Sequence, residues 1–401
     1  MQKKVIALAI AGLVSGGAFA QSNVTISGSL DGSIYINKAT NSTTYGFASN
    51  NANSSRFSFK GTEDLGGGLK AFFDLTEEIN LLTGGSGSGA SGATATGYNN
   101  YSRGANIGLI GRMGKLTAGR QAVPTYATVG TGDALGFNSG GILNLWAFGA
   151  LLNAAPAASR LNNLSTPAVG LSNTSGGALL PNSFAGGLGY DTPNFNGFVL
   201  KLFNTFGQGI TGASFNDGSQ SDITLTFNNG VIGAVAGHNE WKSKVAAAAT
   251  GSFGPVITVS KFNTLGVNWT SGPMKLAAGY VKTSYDSSLT NPTATTGLHD
   301  NSVWSVSGSY TMGAMRYAGG YSKIKDINNT ANGAGELTFL ADYSLSKRTD
   351  VYAILTSVKN KGASFLGGLY GGNALNNVAG SSLNSQGGTS NSLALGMRVG
   401  F

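Results

Sequence analysis

Residues 24–37, VTISGSLDGSIYIN, decide the fold class because apolar and polar residues alternate along their whole length. One parity holds the apolar and glycine residues Val24, Ile26, Gly28, Leu30, Gly32, Ile34 and Ile36. The other parity holds mostly polar residues, Thr25, Ser27, Ser29, Asp31, Ser33, Tyr35 and Asn37. A period of two separates the faces of a strand, whereas a helix would repeat at three and four. The stretch therefore predicts a long β-strand with one apolar face.

The same alternation recurs along the chain after turn-forming residues. It is clear in residues 56–61, 69–76, 104–109, 198–202, 223–227, 264–269, 274–280, 304–310, 336–343 and 392–401. Such segments approach the ~9–11 residues of a tilted strand that crosses a bilayer, and their repetition is typical of transmembrane β-barrels. A soluble β-sandwich or solenoid is the alternative, but a sandwich has few strands of this length.

The connections between these segments alternate between short and long. The short ones are 64–68, 112–115, 192–197, 228–230, 271–273, 311–314 and 345–349. The long ones are 38–54, 81–100, 122–182, 207–221, 243–260, 285–301, 324–334 and 360–391. These connections join sixteen strands, and closing them into a ring leaves no unpaired edge in hydrocarbon. We predict an all-β fold, a 16-stranded antiparallel transmembrane β-barrel with short periplasmic turns, long outer loops and a water-filled lumen.

Composition and charge agree with a barrel and argue against other classes. Glycine accounts for 63 of 401 residues and charged residues for only 10%, whereas soluble domains carry about 25% charged residues. Cysteine is absent, which excludes thiol chemistry. The net charge of +8 falls to +6 without Lys3 and Lys4. Because these charges are scattered and no recognition motif accompanies them, we expect no nucleic-acid partner.

The first twenty residues have the pattern of a secretory signal peptide. Lys3 and Lys4 precede an apolar run at 5–14, and residues 18–20 form an A-x-A cleavage site. We therefore expect residues 1–20 to be removed and residues 21–401 to form the barrel. No later stretch has eighteen consecutive apolar residues, so the sequence predicts no transmembrane helix.

Several stretches resemble the general porins of β-proteobacteria. They are GTEDLGGGLKA at 61–71, GRQ at 119–121, YDTPNFNGF at 190–198, SKRTDVYA at 346–353 and the closing GMRVGF at 396–401. The resemblance implies a homotrimer in the outer membrane, in contact with its lipid, and a terminal Phe401 that the barrel-assembly machinery recognises. It also implies a third outer loop, within 122–182, that folds inward and constricts the pore.

This candidate constriction loop departs from the family pattern because it is nearly neutral. The family's loop is acidic, whereas residues 122–182 contain only Asp133 and Arg160 as charged residues. An apolar stretch at 142–152 predicts a short helix packed on the barrel wall or at a subunit contact.

Charged residues on the polar parity are expected to line the pore, since a charge facing lipid costs ~2–4 kcal/mol at the midplane. The candidate pore-lining residues are Arg56, Lys60, Lys70, Asp74, Lys201, Lys275, Arg316 and Arg398. Further acidic residues on the same parity are Asp31, Glu78, Asp222, Glu336 and Asp342. Arg56, Lys60 and Lys70 fall on two paired strands, which predicts a weak anion preference; a balanced lumen without preference is the alternative.

Residue types needed for catalysis are sparse. The only histidines are His238 and His299, neither in metal-ligand spacing, so we expect no catalytic residue, no metal and no cofactor. The sequence predicts an outer-membrane porin for passive diffusion of small hydrophilic solutes and inorganic ions. A substrate-specific channel, a barrel hydrolase that uses His299, and a structural or adhesive barrel are the alternatives.

Overall fold

Antiparallel strands form nearly all of the regular structure. The computed structural model describes residues 23–40, 42–82, 84–85, 101–136, 184–206, 219–245, 256–287, 300–327, 330–362, 364 and 387–401. The strands are β1 (Asn23–Ala39), β2 (Thr43–Ser49), β3 (Arg56–Gly66), β4 (Leu69–Glu78), β5 (Gly104–Gly111), β6 (Gly114–Ala122), β7 (Phe184–Asp191), β8 (Phe198–Thr205), β9 (Gln220–Asn228), β10 (Ile232–Val245), β11 (Val256–Ser271), β12 (Met274–Ser287), β13 (Asn301–Met312), β14 (Met315–Asp326), β15 (Gly333–Ser344), β16 (Thr349–Lys361) and β17 (Thr389–Gly400). Helix α1 (Pro124–Thr128) and a 3-10 helix (Val129–Gly132) follow β6.

The sheet closes on itself because β1 pairs with β17 on one side and with β2 and β3 on the other. β2 and β3 bind different parts of the same edge of β1 and so occupy one position in the ring, which gives sixteen strand positions. Closure pairs Ser29 with Gly400 at one end of the seam and Ala39 with Ser390 at the other. The predicted 16-stranded antiparallel barrel is confirmed.

The alternation in the sequence separates the two faces of the wall. On β1 the side chains of Ile26 and Ile34 are 63% and 61% exposed, whereas Asp31 is fully buried and Ser33 nearly so. The exposed apolar residues therefore form the outer surface and the polar residues face inward. A closed barrel that crosses a membrane needs an apolar outer surface, because that surface contacts the hydrocarbon of the bilayer.

Short turns occupy one end of the barrel, which we call the turn end. The strand ends that border the longer connections lie at the other end, which we call the loop end. The seven short turns lie where the sequence places them, each between two antiparallel neighbours. Two of them contain Gly272 and Gly313 at φ +53° and +59°, a left-handed conformation that glycine adopts without steric cost.

The prediction of a long loop at 38–54 was wrong. Thr43–Ser49 forms β2 and pairs with β1, so only residues 40–42 lie between the two strands. β2 is a short strand between segments rich in Asn and Ser, and its tertiary pairing with β1 outweighs its weak intrinsic signal. Residues 50–55, between β2 and β3, lie on the inner side of the wall.

Some predictions fall outside the described residues. They are the signal peptide at 1–20, the apolar stretch at 142–152, Arg160 and His299. In the part of the chain that the structure describes, no helix is long and apolar enough to cross a membrane.

Candidate pore and its constriction

The first limb of the third loop, residues 123–135, lies against the inner face of the barrel. Helix α1 begins with Pro124, whose missing N–H is no loss in a first helical turn. The backbone N–H of Thr125 donates to the Asp222 carboxylate at 3.0 Å, and the Thr125 and Thr224 hydroxyls lie 3.2 Å apart. These contacts hold the start of the limb on β9.

The 3-10 helix then packs backbone against backbone on a row of wall glycines. A Cβ atom added to Gly132 would stand 2.7 Å from the Cα atom of Gly279 and 3.2 Å from that of Gly266. Asn268 also donates its side-chain N–H to the carbonyl of Thr131 at 2.9 Å. The backbone of the limb therefore packs directly against β11 and β12, with no room for a side chain at residue 132.

Two predicted pore-lining cations bind the end of this limb. Lys275 donates from Nζ to the carbonyl of Asp133 at 2.9 Å. Arg316 donates to the carbonyls of Ala134 and Leu135 at 2.7 and 2.5 Å. Because both cations are engaged by backbone carbonyls, they serve to hold the loop against the wall.

Asp133, the predicted acidic residue of the loop, faces this wall and is 3% exposed. Its Oδ1 accepts from the Leu135 N–H at 2.7 Å and from the Ser307 hydroxyl at 3.3 Å. Burial raises the pKa of Asp133, and these hydrogen bonds, Lys275 and Arg316 oppose the shift. The described limb therefore has no acidic group exposed to the lumen.

The wall from β3 to β6 carries a group of arginines that the sequence only partly predicted. Arg56, a predicted pore-lining residue, pairs across the strands with Glu78. Arg103 donates from Nε to Glu78 at 2.6 Å, and its guanidinium also lies 4.9 Å from the ring centre of Phe184. The positive charge of Arg103 acts on both Arg56 and Arg120.

Arg103 and Arg120 were missed because both fall on the apolar parity of their segments. Arg103 precedes β5 and is not part of a strand, so alternation says nothing of its direction. Arg120 follows Gly119, whose φ of +115° breaks regular strand geometry, and its Nε donates to the carbonyl of Ser102 at 2.6 Å. One signal could have identified them: a charged residue near a strand end, at a position that the alternation assigns to the lipid-facing side.

The other predicted pore-lining residues lie nearer the turn end and are mostly paired. Lys60 contacts Asp74 at 3.0 Å, Lys201 contacts Asp191 at 2.7 Å, and Arg398 contacts Asp350 at 2.9 Å. Lys70 stands opposite Asp64 on the neighbouring strand. Partly exposed pairs of this kind contribute little stability, about 0–1 kcal/mol when fully solvated, and each cancels much of its own field.

Comparison with known proteins places the chain among porins. The Gram-negative porin family matches residues 7–363. Outer membrane porin protein 32 of Delftia acidovorans is 30% identical over 394 residues, which cover 93% of this chain and 95% of that protein. An outer membrane porin protein of Bordetella pertussis is 24% identical over 405 residues, with 90% and 95% covered.

Solved structures share the fold. An anion-selective porin from Comamonas acidovorans superposes with a TM-score of 0.72 at 24% identity, covering 95% of this chain and all of that one. The trimer form of OmpT from Vibrio cholerae gives 0.61 at 14% identity, with 95% and 99% covered. Porins are channels rather than enzymes. From its family match and its Delftia relative, the chain belongs to the Gram-negative porin family and is an outer-membrane channel for passive diffusion.

Proposed function

We propose that this channel prefers small anions over cations, weakly, and that the preference arises where the third-loop limb faces the wall of β3 to β6. The observation that carries the proposal is an asymmetry of charge. The charge of Arg103 acts on both Arg56 and Arg120, whereas the described limb carries one charged residue, Asp133, which is buried.

A confined cluster of like charge raises the local concentration of counter-ions and repels ions of its own sign. Glu78 offsets part of this field because it forms an ion pair with Arg103. The remaining cationic excess supports a weak preference rather than strict selectivity. The paired lysines nearer the turn end add little to it.

Two solved structures support the anion preference and the formation of a trimer. The Comamonas structure is named as an anion-selective porin, and the Vibrio structure is named as a trimer form. We infer that this chain also works as a homotrimer, that residues 122–182 constrict its pore, and that the eight candidate charged residues line it. The solutes are then small hydrophilic molecules and inorganic ions.

Reversal potentials across a planar bilayer with a KCl gradient test the anion preference. We expect the wild-type potential to have the sign set by chloride permeation. The double variant Arg56→Gln/Arg103→Gln should move it toward cations. Lys347→Gln, which removes one charge from an exposed turn, should leave it unchanged. A reversal potential with the sign of potassium permeation in wild type would overturn the proposal. So would a double variant whose reversal potential equals that of wild type.

Export by a cleaved signal peptide is a separate proposal. The charged start, apolar run and A-x-A site of residues 1–20 support it. Intact mass measurement of the protein extracted from outer membranes should match residues 21–401. A mass that includes Lys3 and Lys4 would contradict cleavage.

A further inference from the structure

In the part of the wall that the structure describes, residues 50–55 form a large irregularity between β2 and β3. On β1, Gly32 pairs with Ser49 and Ser29 pairs with Arg56, so only Leu30 and Asp31 stand opposite this segment. The surplus backbone leaves the sheet on the inner side. Its buried residues are Asn50, Asn51, Ala52, Ser54 and Ser55. We call residues 50–55 the inward segment.

Asp31 binds the inward segment through its carboxylate in the middle and through its backbone at both ends. One carboxylate oxygen, Oδ2, accepts from the N–H of Ala52 at 2.7 Å and from the N–H of Asn53. The Asp31 N–H donates to the hydroxyl of Ser55 at 2.9 Å, and the N–H of Asn50 donates to the Asp31 carbonyl at 3.1 Å. Hydrogen bonds to a carboxylate are stronger than neutral ones, so this single residue holds a turn that would otherwise have unpaired donors.

The other oxygen of Asp31 is held from across the closing seam of the barrel. Tyr352, on β16, donates its hydroxyl to Oδ1 at 2.5 Å and so reaches across β17 to β1. This reach is possible because Tyr352 stands opposite Gly396, and the aromatic ring occupies the place where a side chain at Gly396 would be. Gly396 thus leaves room for the ring of Tyr352, and the hydroxyl of Tyr352 fixes the carboxylate of Asp31.

The inward segment meets the third loop inside the barrel. Ala52 and Leu135 belong to one buried apolar cluster, together with Ala318, Leu340, Tyr352, Ile354 and Ala394. The carbonyl of Leu135 is one of the two that Arg316 binds. On the other side, the hydroxyl of Ser54 accepts from Arg103 at 2.9 Å. The segment thus connects the end of the loop limb with the arginine wall.

We propose that the inward segment is a second constriction element and that Asp31 is the positioning residue that holds it in the lumen. The proposal rests on the chain being a channel, as argued above, and adds that the third loop does not set the cross-section by itself. Release of the segment widens the pore beside the arginines and removes a contact of Arg103. Asp31 contributes to pore size and not directly to solute binding.

Single-channel conductance in 1 M KCl and exclusion of graded polyethylene glycols test this, because charge effects are screened within ~3 Å at that salt. Asp31→Ala and Tyr352→Phe should raise the conductance and move the exclusion limit to larger polymers. Asp64→Asn and Tyr343→Phe, which alter exposed residues away from the segment, should change neither. Unchanged conductance and exclusion in an intact Asp31→Ala oligomer would overturn the proposal.

A second experiment does not depend on how Asp31→Ala folds. The chain has no cysteine, so Asn53→Cys would provide its only thiol. Reaction with a bulky methanethiosulfonate reagent should reduce the current through open channels, whereas the same reaction at Ser346→Cys, in an exposed turn, should not. Full labelling at residue 53 without loss of current refutes the inference while leaving the channel function intact. An absence of any wild-type conductance would instead refute the proposed function.

Discussion

The ring of the last residue, Phe401, covers Gly28 at the turn end of the closing seam. The two residues exchange backbone hydrogen bonds, Gly28 N to Phe401 O at 3.0 Å and Phe401 N to Gly28 O at 3.1 Å. A Cβ atom on residue 28 would overlap the aromatic ring and stand 2.7 Å from the carbonyl oxygen of Arg56. The end of the chain therefore closes the barrel over a position that has no room for a side chain.

Gly28→Ala should weaken this closure. The added methyl must displace both a ring and a backbone carbonyl, and overpacking of this kind costs ~1–3 kcal/mol. We expect the oligomer to lose its compact form on unheated gels at a lower temperature than wild type. Gly308→Ala is the matched control, because its added Cβ meets the flexible end of Leu276 at 3.1 Å and the carbonyl oxygen of Lys275 at an ordinary contact distance of 3.6 Å. Equal melting of the two variants would contradict the argument.

Phe401 itself is expected to act in assembly as well as in packing. Its ring is 47% exposed, so part of it stays available for recognition by the barrel-assembly machinery, as the family resemblance implies. Phe401→Ser should reduce the amount of barrel that reaches the outer membrane in cells by more than it reduces refolding of purified chain in detergent. Equal losses in the two measurements would assign Phe401 a packing role only.

Docking of the third loop depends on Gly132. Its Cβ would stand 2.7 Å from the Cα of Gly279 and 2.9 Å from the carbonyl oxygen of Ala278. Gly132→Ala should lift the limb from the wall and produce noisier current with more frequent changes of conductance level. Gly130→Ala is the control, since a Cβ there meets nothing within 4 Å. Quiet, wild-type current from Gly132→Ala would show that the limb is held in other ways.

Alternation predicted the wall correctly because the face toward lipid must be apolar, whereas the face toward the water-filled lumen can be polar. Residues 24–37 meet lipid on one face and the inside of the barrel on the other, and prediction failed where the alternation was short or ended. β2 is too short to show a period clearly. Arg103 and Arg120 lie at strand ends, where a lipid-facing parity no longer excludes charge.

The interior of the barrel could be predicted far less well. Parity placed Asp31 on the inner face, but its partner Tyr352 lies 321 residues further along the chain. Nothing in residues 50–55 indicates an inward turn, because Asn, Ser and Ala suit an outer loop equally well. Lys275 and Arg316 were predicted to line the pore, and the backbone carbonyls that they bind could not be foreseen from residue types.

Asp133 should make the stability of the oligomer depend on pH. Burial raises its pKa above that of the unfolded chain, so the folded state binds the proton more tightly than the unfolded state does. Between those two pKa values the contribution of this residue to stability falls as pH rises. The melting temperature of wild type minus that of Asp133→Asn should therefore decrease from pH 4 upward. A difference that increases with pH would contradict the burial argument.

Glu78 limits the anion preference because it is the acidic partner within the arginine group, 2.6 Å from Nε of Arg103. Glu78→Gln keeps a hydrogen-bond acceptor for Arg103 and removes the negative charge, so the reversal potential should move further toward that of chloride. The shift should be larger in 0.1 M than in 1 M KCl, where the screening length falls from ~10 Å to ~3 Å. Glu63→Gln, an equal charge change at an exposed position on β3, is the control. An equal shift in both variants would mean that net charge, and not the arginine group, sets the preference.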